Sequence, residues 1–220
     1  TMTTKPIQQL FTDFLKMSYF KNYAAASGMV HNFAKHEEAI ASVMEKHGYA
    51  KYNPQKKLHK KDFVNKNTNF LSDMPSKSFI EQPFGTHSSP DFFIKTKTNN
   101  IIPLEAKSSE TSSHPTYNSG GVKQGYYYIF CSKKTNSTTV YRGEDIITEE
   151  QQYLINEYIK EEKNRAAILN NKLKTIDIHS RGVSFYPRPM ICQSGGAAFT
   201  NYFTHQNKTR DENRVIESLL

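Results

Sequence analysis

The chain has 220 residues, and its 29 Lys and Arg exceed its 21 Asp and Glu to give a formal charge of +8. Its 36% hydrophobic and 12% aromatic content excludes a disordered chain, which lacks apolar surface to bury. No apolar run approaches the length of a membrane-spanning helix, and the basic balance points to a polyanionic partner, nucleic acid first.

At this length a single domain over residues 1–220 is expected. Cys131 and Cys192 match no zinc or redox spacing and suit a reduced, cytoplasmic setting. Residues 1–20 carry no signal-peptide pattern.

In chain order, Leu10, Phe11, Phe14, Leu15 and Tyr19 recur at helical spacing and predict a helix up to Ser27, interrupted by Gly28. A second helix is expected from Val30 to His47, ended by Gly48. Lys51 to Lys66 is basic and turn-rich, and reads as an exposed loop or loosely ordered arm. Short strands follow. Phe92, Phe93 and Ile94 form an apolar run, Asn99-Asn100 signals a turn, and Ile101 to Lys107 is the next strand. After a polar loop from Ser108 to Gly121, Tyr126 to Cys131 suits a strand covered on both faces, with Ser137 to Tyr141 as its antiparallel neighbour. Thr148 and Gln151 fit a capping box that opens a long helix to about Leu173. Ile176 to Tyr186 reads as a strand ended by Pro187 and Pro189, and a last helix falls within Ala197 to Leu220. The expected fold class is α/β, a mixed β-sheet flanked by helices.

The chemistry is concentrated in Pro90-Asp91 and Glu105-Ala106-Lys107. Side chains alternate across a strand, so Glu105 and Lys107 share one face while Ile102, Leu104 and Ala106 share the other. A hairpin turning at Lys95 to Asn100 brings Asp91 beside Glu105. Two carboxylates held together repel, and a divalent cation relieves that cost. Mg²⁺ is commonly held by one or two carboxylates plus phosphate, and there it polarises a phosphodiester and acidifies a bound water. Lys107 would orient that water or offset the charge on the phosphorane. The alternative is a surface hairpin with a turn aspartate and a weak cross-face ion pair.

This pattern resembles the PD-(D/E)xK nuclease superfamily, its motif standing here as Pro90, Asp91, Glu105 and Lys107. The resemblance covers about residues 30–142, where it implies a restriction-endonuclease-like core of helix, strands, helix and strand. Residues 143–220 would then elaborate DNA contact or dimerisation. It implies Asp91, Glu105 and Lys107 as catalytic residues, Asp91 and Glu105 as metal ligands, and Mg²⁺ as cofactor with Mn²⁺ as a substitute. In size and charge the chain is most like a type II restriction endonuclease. The resemblance then implies sequence-specific cleavage of double-stranded DNA to 5′-phosphate ends by a homodimer, with a cognate DNA methyltransferase as functional partner and no membrane.

An upstream helical glutamate is common in that family as a further metal ligand, and Glu37 and Glu38 stand side by side. On a helix whose buried stripe is Val30, Phe33, Ile40, Ala41 and Met44, Glu37 falls near the stripe and Glu38 about 100° away, which favours Glu37. His87 and His114 flank the group as candidates for general base or phosphate contact, or as bystanders. Gln124 and Tyr128 match the Gln-xxx-Tyr spacing of recombination-type nucleases, but Tyr128 falls in a strand and reads as a sheet residue.

Lys56, Lys57, Lys60, Lys61 and Lys123 are candidates for phosphate contact. Tyr117, Asn118, Ser119, Arg181 and Arg188 are candidates for reading bases. Two other functions fit the same residues: a structure-specific or repair nuclease of the same fold, and a non-catalytic basic nucleic-acid-binding protein.

Overall fold

The computed structural model describes residues 5–24, 30–31, 33–118, 121–191, 193 and 200–219. Its elements in chain order are α1 (Pro6–Phe14), β1 (Tyr23–Ala24), β2 (Val30–His31), α2 (His36–Lys46), β3 (Ala50–Lys51), α3 (Lys60–Val64), β4 (Ser78–Glu81) and β5 (Phe92–Lys95). They continue with β6 (Ile101–Ser109), β7 (Tyr117–Asn118), β8 (Tyr127–Ser132), β9 (Ser137–Arg142), α4 (Glu149–Thr175), β10 (Met190–Ile191) and α5 (Lys208–Ser218).

The centre is a six-stranded mixed sheet in the order β3-β4-β5-β6-β8-β9. β4, β5 and β6 form an antiparallel meander, β8 runs parallel to β6, and β9 returns antiparallel. The β5–β6 hairpin turns through Thr96 to Asn100, with Asn99 in the left-handed region at φ 67°. Two small antiparallel pairs, β1 with β2 and β7 with β10, stand outside the main sheet.

Strand alternation separates two faces. Phe92, Ile94, Ile102, Leu104, Ala106, Ile129, Cys131 and Val140 point into one core, shared with α1, α2 and the Val215 and Leu219 end of α5. On the other face Tyr128, Phe130 and Tyr141 pack with Tyr117, Val122, Tyr126, Ile147 and Tyr202. Phe93 and Ile80 continue that face in a cluster with Leu71 and Met74. The sheet is thus buried on both sides, and Glu105 and Lys107, opposite in register to Tyr128 and Phe130, belong to the tyrosine-rich face.

Several elements differ from the sequence expectations. α1 ends at Phe14, and Phe20 to Asn22 is a separate turn of 3₁₀-helix. Gly28 lies outside the described residues. α2 starts at His36, because Val30 and His31 are drawn into the small β1–β2 pair. The basic stretch after Lys51 contains a helix, α3, pinned by Phe63, whose ring lies 4.9 Å from Phe93 edge to face. Ile176 to Tyr186 makes no strand: Ile178, Val183 and Tyr186 are well exposed, and only Met190 and Ile191 pair with β7. The connection from β6 to β8 contains β7 and, among the described residues, no helix. The helix expected there from the family core is therefore missing from them. α4 opens as expected, with Thr148 Oγ1 accepting from Gln151 N–H at 3.1 Å. Among the described residues no helix is long and apolar enough to cross a membrane.

Candidate active site

The β5–β6 hairpin does what its sequence suggests. Phe92 pairs with Leu104, so Asp91, one residue earlier, stands opposite Glu105 and faces the same side as Phe93. Asp91 Oδ2 accepts the backbone N–H of Ala106 at 2.8 Å, which fixes its carboxylate against β6. Lys107 Nζ donates to Glu105 Oε1 at 2.8 Å, with side chains only 16% and 12% exposed. Two carboxylates and an ammonium therefore converge at one end of the hairpin.

Each carboxylate has one oxygen committed within the hairpin, Asp91 Oδ2 to Ala106 and Glu105 Oε1 to Lys107. Glu105 Oε2 is buried with no hydrogen-bond partner. A buried carboxylate oxygen left in this state costs roughly 1–3 kcal/mol or more. The Asp91 carboxyl is pushed up to about 7, first by burial and then by the neighbouring charges of Glu105 and Glu37. The Ala106 N–H and Lys107 oppose that rise without cancelling it. The site is short of positive charge where the carboxylates meet, and that donor set suits a hard cation. Among the described residues, no three His, Cys, Asp or Glu side chains stand together as a closed metal cage. Mg²⁺ does not require one, since water and phosphate complete its shell.

Geometry separates the two adjacent glutamates. Glu38 is exposed and turns back on its own helix end, accepting from Ala34 N–H at 3.2 Å and Lys35 N–H at 3.4 Å. Glu37 is half-buried, and its charge acts on Asp91. Just before it, His36 is buried and stacked on Phe20, with ring centroids 5.8 Å apart. Neither of its ring nitrogens has a well-formed hydrogen bond. Burial drives its pKa down to about 4, against a weaker upward pull from the Lys107 backbone.

Two more lysines reach the same place. Lys60 Nζ lies 3.4 Å and Lys123 Nζ 2.6 Å from Ser89 Oγ, two residues before Asp91. Lys60 is the first residue of α3, one turn before the anchor Phe63. Lys123 is held by its backbone: its N–H donates to Tyr128 Oη at 2.8 Å, and its ammonium sits 5.6 Å from the centre of the Tyr126 ring. Burial lowers the Lys123 pKa to about 8, with Lys60 and Lys107 adding to the shift and Glu105 resisting it. Ser89 is buried and was not singled out from sequence; no local pattern marks it, because its partners lie 29 and 34 positions away.

The remaining candidates are dispersed. Lys56, Lys57 and Lys61 are exposed, as are Arg181 and Arg188. Asn118 is exposed on β7, and Ser119 lies outside the described residues. Tyr117 is a correction: it is 1% exposed, and its hydroxyl sits 2.8 Å from those of both Tyr141 and Tyr202, so it belongs to the core and cannot read bases. His87 is exposed and His114 half-buried, and among the described residues no hydrogen bond or ion pair joins either to Asp91, Glu105 or Lys107. Gln124 donates from Nε2 to Ile147 O at 2.7 Å, and Tyr128 is buried in the sheet, so that pair is structural.

Asp91, Glu105, Lys107 and, through its charge, Glu37 are thus brought to one place, with Lys60, Lys123 and Ser89 beside them. Compared with known proteins, this chain matches no family model, no curated protein and no solved structure.

Proposed function

We propose that the chain is a Mg²⁺-dependent endonuclease that hydrolyses phosphodiester bonds in double-stranded DNA. The observation that carries this reading is the buried, unpartnered Oε2 of Glu105, a residue that shares β6 with Lys107 and stands opposite Asp91. The order of α2, the β4–β5–β6 meander and the parallel β8 supports a restriction-endonuclease-like core, with a crossover that has no helix among its described residues as its departure.

Asp91 and Glu105 would hold the metal ion, with Glu37 adding negative charge nearby. Bound there, Mg²⁺ supplies polarisation of the phosphodiester and a more acidic water. The chain's own residues set the geometry. The Ala106 N–H fixes Asp91 on the β6 backbone. Lys107, held by Glu105 Oε1, keeps an ammonium where charge develops on the pentavalent phosphorus, or orients the attacking water. Burial removes competing water and strengthens each of these interactions.

Sequence-specific, restriction-type cleavage by a homodimer beside a protecting methyltransferase is the finer form of the proposal. Arg181, Arg188 and Asn118 remain its base-reading candidates. The test is digestion of phage and plasmid DNA in Mg²⁺ and in EDTA, with Lys107→Ala alongside. Discrete Mg²⁺-dependent fragments that vanish in the variant are the expected result. A Mg²⁺-dependent smear or nick keeps the active site and moves the function to a structure-specific or non-specific nuclease. Intact DNA in every lane with retained gel-shift binding overturns catalysis in favour of a binding protein.

A further inference from the structure

The proposed hydrolysis uses Asp91, Glu105 and Lys107, and leaves Lys60, Lys123 and Ser89 without a task. Their arrangement is costly as it stands. Two ammonium groups, each half-buried, approach one serine hydroxyl at 3.4 and 2.6 Å. Among the described residues neither forms an ion pair with a carboxylate, and Glu105, whose charge acts on both, gives its Oε1 to Lys107. One hydroxyl oxygen cannot neutralise two positive charges, and like charges brought together out of bulk water repel. An anion between them removes the repulsion and supplies charged acceptors beyond the one serine oxygen that both ammoniums share.

The scaffold holds this pair on purpose-built anchors from distant parts of the chain. Phe63 packs against Phe93, Phe70 and Phe84 and fixes the helical turn that carries Lys60. Lys123 is fixed by its N–H bond to Tyr128 Oη and by the close approach of Gly143, where a Cβ would stand 1.8 Å from the Lys123 carbonyl oxygen. Ser89 itself is buried, 7% exposed. These are not mobile surface lysines sharing a solvated face.

We propose that Lys60, Lys123 and the Ser89 hydroxyl form a single anion subsite, which takes one backbone phosphate of the DNA strand next to the phosphate being cut. Its position follows from the chain: Ser89 lies two residues before Asp91, so an anion there is a near neighbour of anything bound by Asp91 and Glu105. Holding the adjacent phosphate would set the strand's register over the carboxylates. That the anion is a DNA phosphate rests on the nuclease reading; that the subsite takes an anion does not.

The experiment measures binding apart from cleavage. A short fluorescent duplex of arbitrary sequence serves as probe in Ca²⁺ buffer, since phosphate contacts are sequence-independent. Lys60→Gln, Lys123→Gln and the double variant are titrated across a salt series. Each single substitution should weaken binding about tenfold and make the salt dependence shallower. The double variant should fall clearly short of the hundredfold product, because both lysines serve one phosphate. Lys60→Arg with Lys123→Arg should keep the salt dependence, and thermal melts confirm that the variants fold. Additive losses, or no loss, overturn the subsite. If the coupling is present and the wild-type protein cuts no DNA in Mg²⁺, the subsite stands and the nuclease reading falls. If the wild type cuts and the losses are additive, the reverse holds.

Discussion

The Asp91 carboxylate accepts the Ala106 N–H at 2.8 Å, so the side chain just before β5 is locked to the backbone of the strand that carries Glu105 and Lys107. That lock holds Asp91 where burial and Glu105 raise its pKa to about 7, against 3.8 for the free side chain. The folded chain therefore keeps a proton that the unfolded chain has already released. Its stabilising effect is full below about pH 4 and is lost as pH rises through 7. In EDTA, wild-type stability should decline across that window relative to Asp91→Asn, whose amide oxygen still accepts from Ala106. At pH 8 the variant should be the more stable by a few kcal/mol, at about 1.4 kcal/mol per pKa unit. Melts from pH 4 to 8 check this. Mg²⁺ should raise the wild-type melting temperature at pH 8 and leave the variant's unmoved.

Glu37 and Glu38 give a paired test with opposite readouts. Glu38→Ala removes the acceptor for Ala34 and Lys35 N–H and should cost about 0.5–2 kcal/mol of stability with cleavage intact. Glu37→Gln removes a charge that acts on Asp91. It should leave the fold intact, lower the Asp91 pKa, and weaken Mg²⁺ activation of cleavage. Denaturant melts beside a Mg²⁺ titration of activity separate the two. Equal effects of the two substitutions on activity would remove Glu37 from the site.

Gly143 tests the mounting of Lys123. An alanine Cβ would fall 1.8 Å from the Lys123 carbonyl oxygen and 2.6 Å from its carbonyl carbon, so backbone must move. Gly143→Ala should cost about 1–3 kcal/mol and reproduce part of the DNA-binding loss of Lys123→Gln. Gly125→Ala is the comparison: its Cβ would meet open space, and the cost there is backbone strain at φ 77°. Duplex binding by both variants, corrected for folded fraction, decides the matter.

The hairpin that holds the carboxylates was legible because everything that defines it is local. An apolar run, an Asn-Asn turn and strict alternation put Asp91, Glu105 and Lys107 together within 17 residues. Ile176 to Tyr186 departs from expectation for the complementary reason: its residues favour strand, but among the described residues no sheet edge receives them, and a strand without a neighbour is not stable. Glu37 was picked from a helix drawn six residues too long at its start, since α2 begins at His36. Its placement near Asp91 depends on how α2 packs on the sheet, which no stripe within one helix reports. Tyr117 was misread because a polar loop sequence hides the tyrosine cluster that buries it, built from Tyr141 and Tyr202 far along the chain. The convergence of Lys60 and Lys123 on Ser89 is of the same long-range kind.

That tyrosine cluster makes its own prediction. Tyr117→Phe removes the hydroxyl between Tyr141 and Tyr202 and keeps the ring against Tyr128 at 5.7 Å. It should cost about 1–3 kcal/mol, the range for leaving buried partners unsatisfied, and should not change which DNA sites are cut. A digest pattern altered by this substitution would return Tyr117 to the base-reading surface.

α4 bears on the proposed homodimer. It is 27 residues long, and Ala166 is its one fully buried residue, while Tyr153, Leu154, Tyr158 and Ile168 are each about 60% exposed. Its N-terminal half carries Glu149, Glu150, Glu157, Glu161 and Glu162 against the single Lys160, and its C-terminal half carries Lys163, Arg165, Lys172 and Lys174 with no acidic residue. Two copies laid antiparallel would set acidic halves against basic ones and bury the apolar side chains of both, which an isologous interface requires. Leu154→Glu with Ile168→Glu should therefore yield a monomer in sedimentation experiments, with stability changed by no more than about 0.5 kcal/mol, because neither side chain is packed in the single chain. If the dimer cuts both strands, the monomer should nick supercoiled plasmid and linearise it poorly. A variant that sediments as the wild type does, whatever that mass is, would remove α4 from the interface.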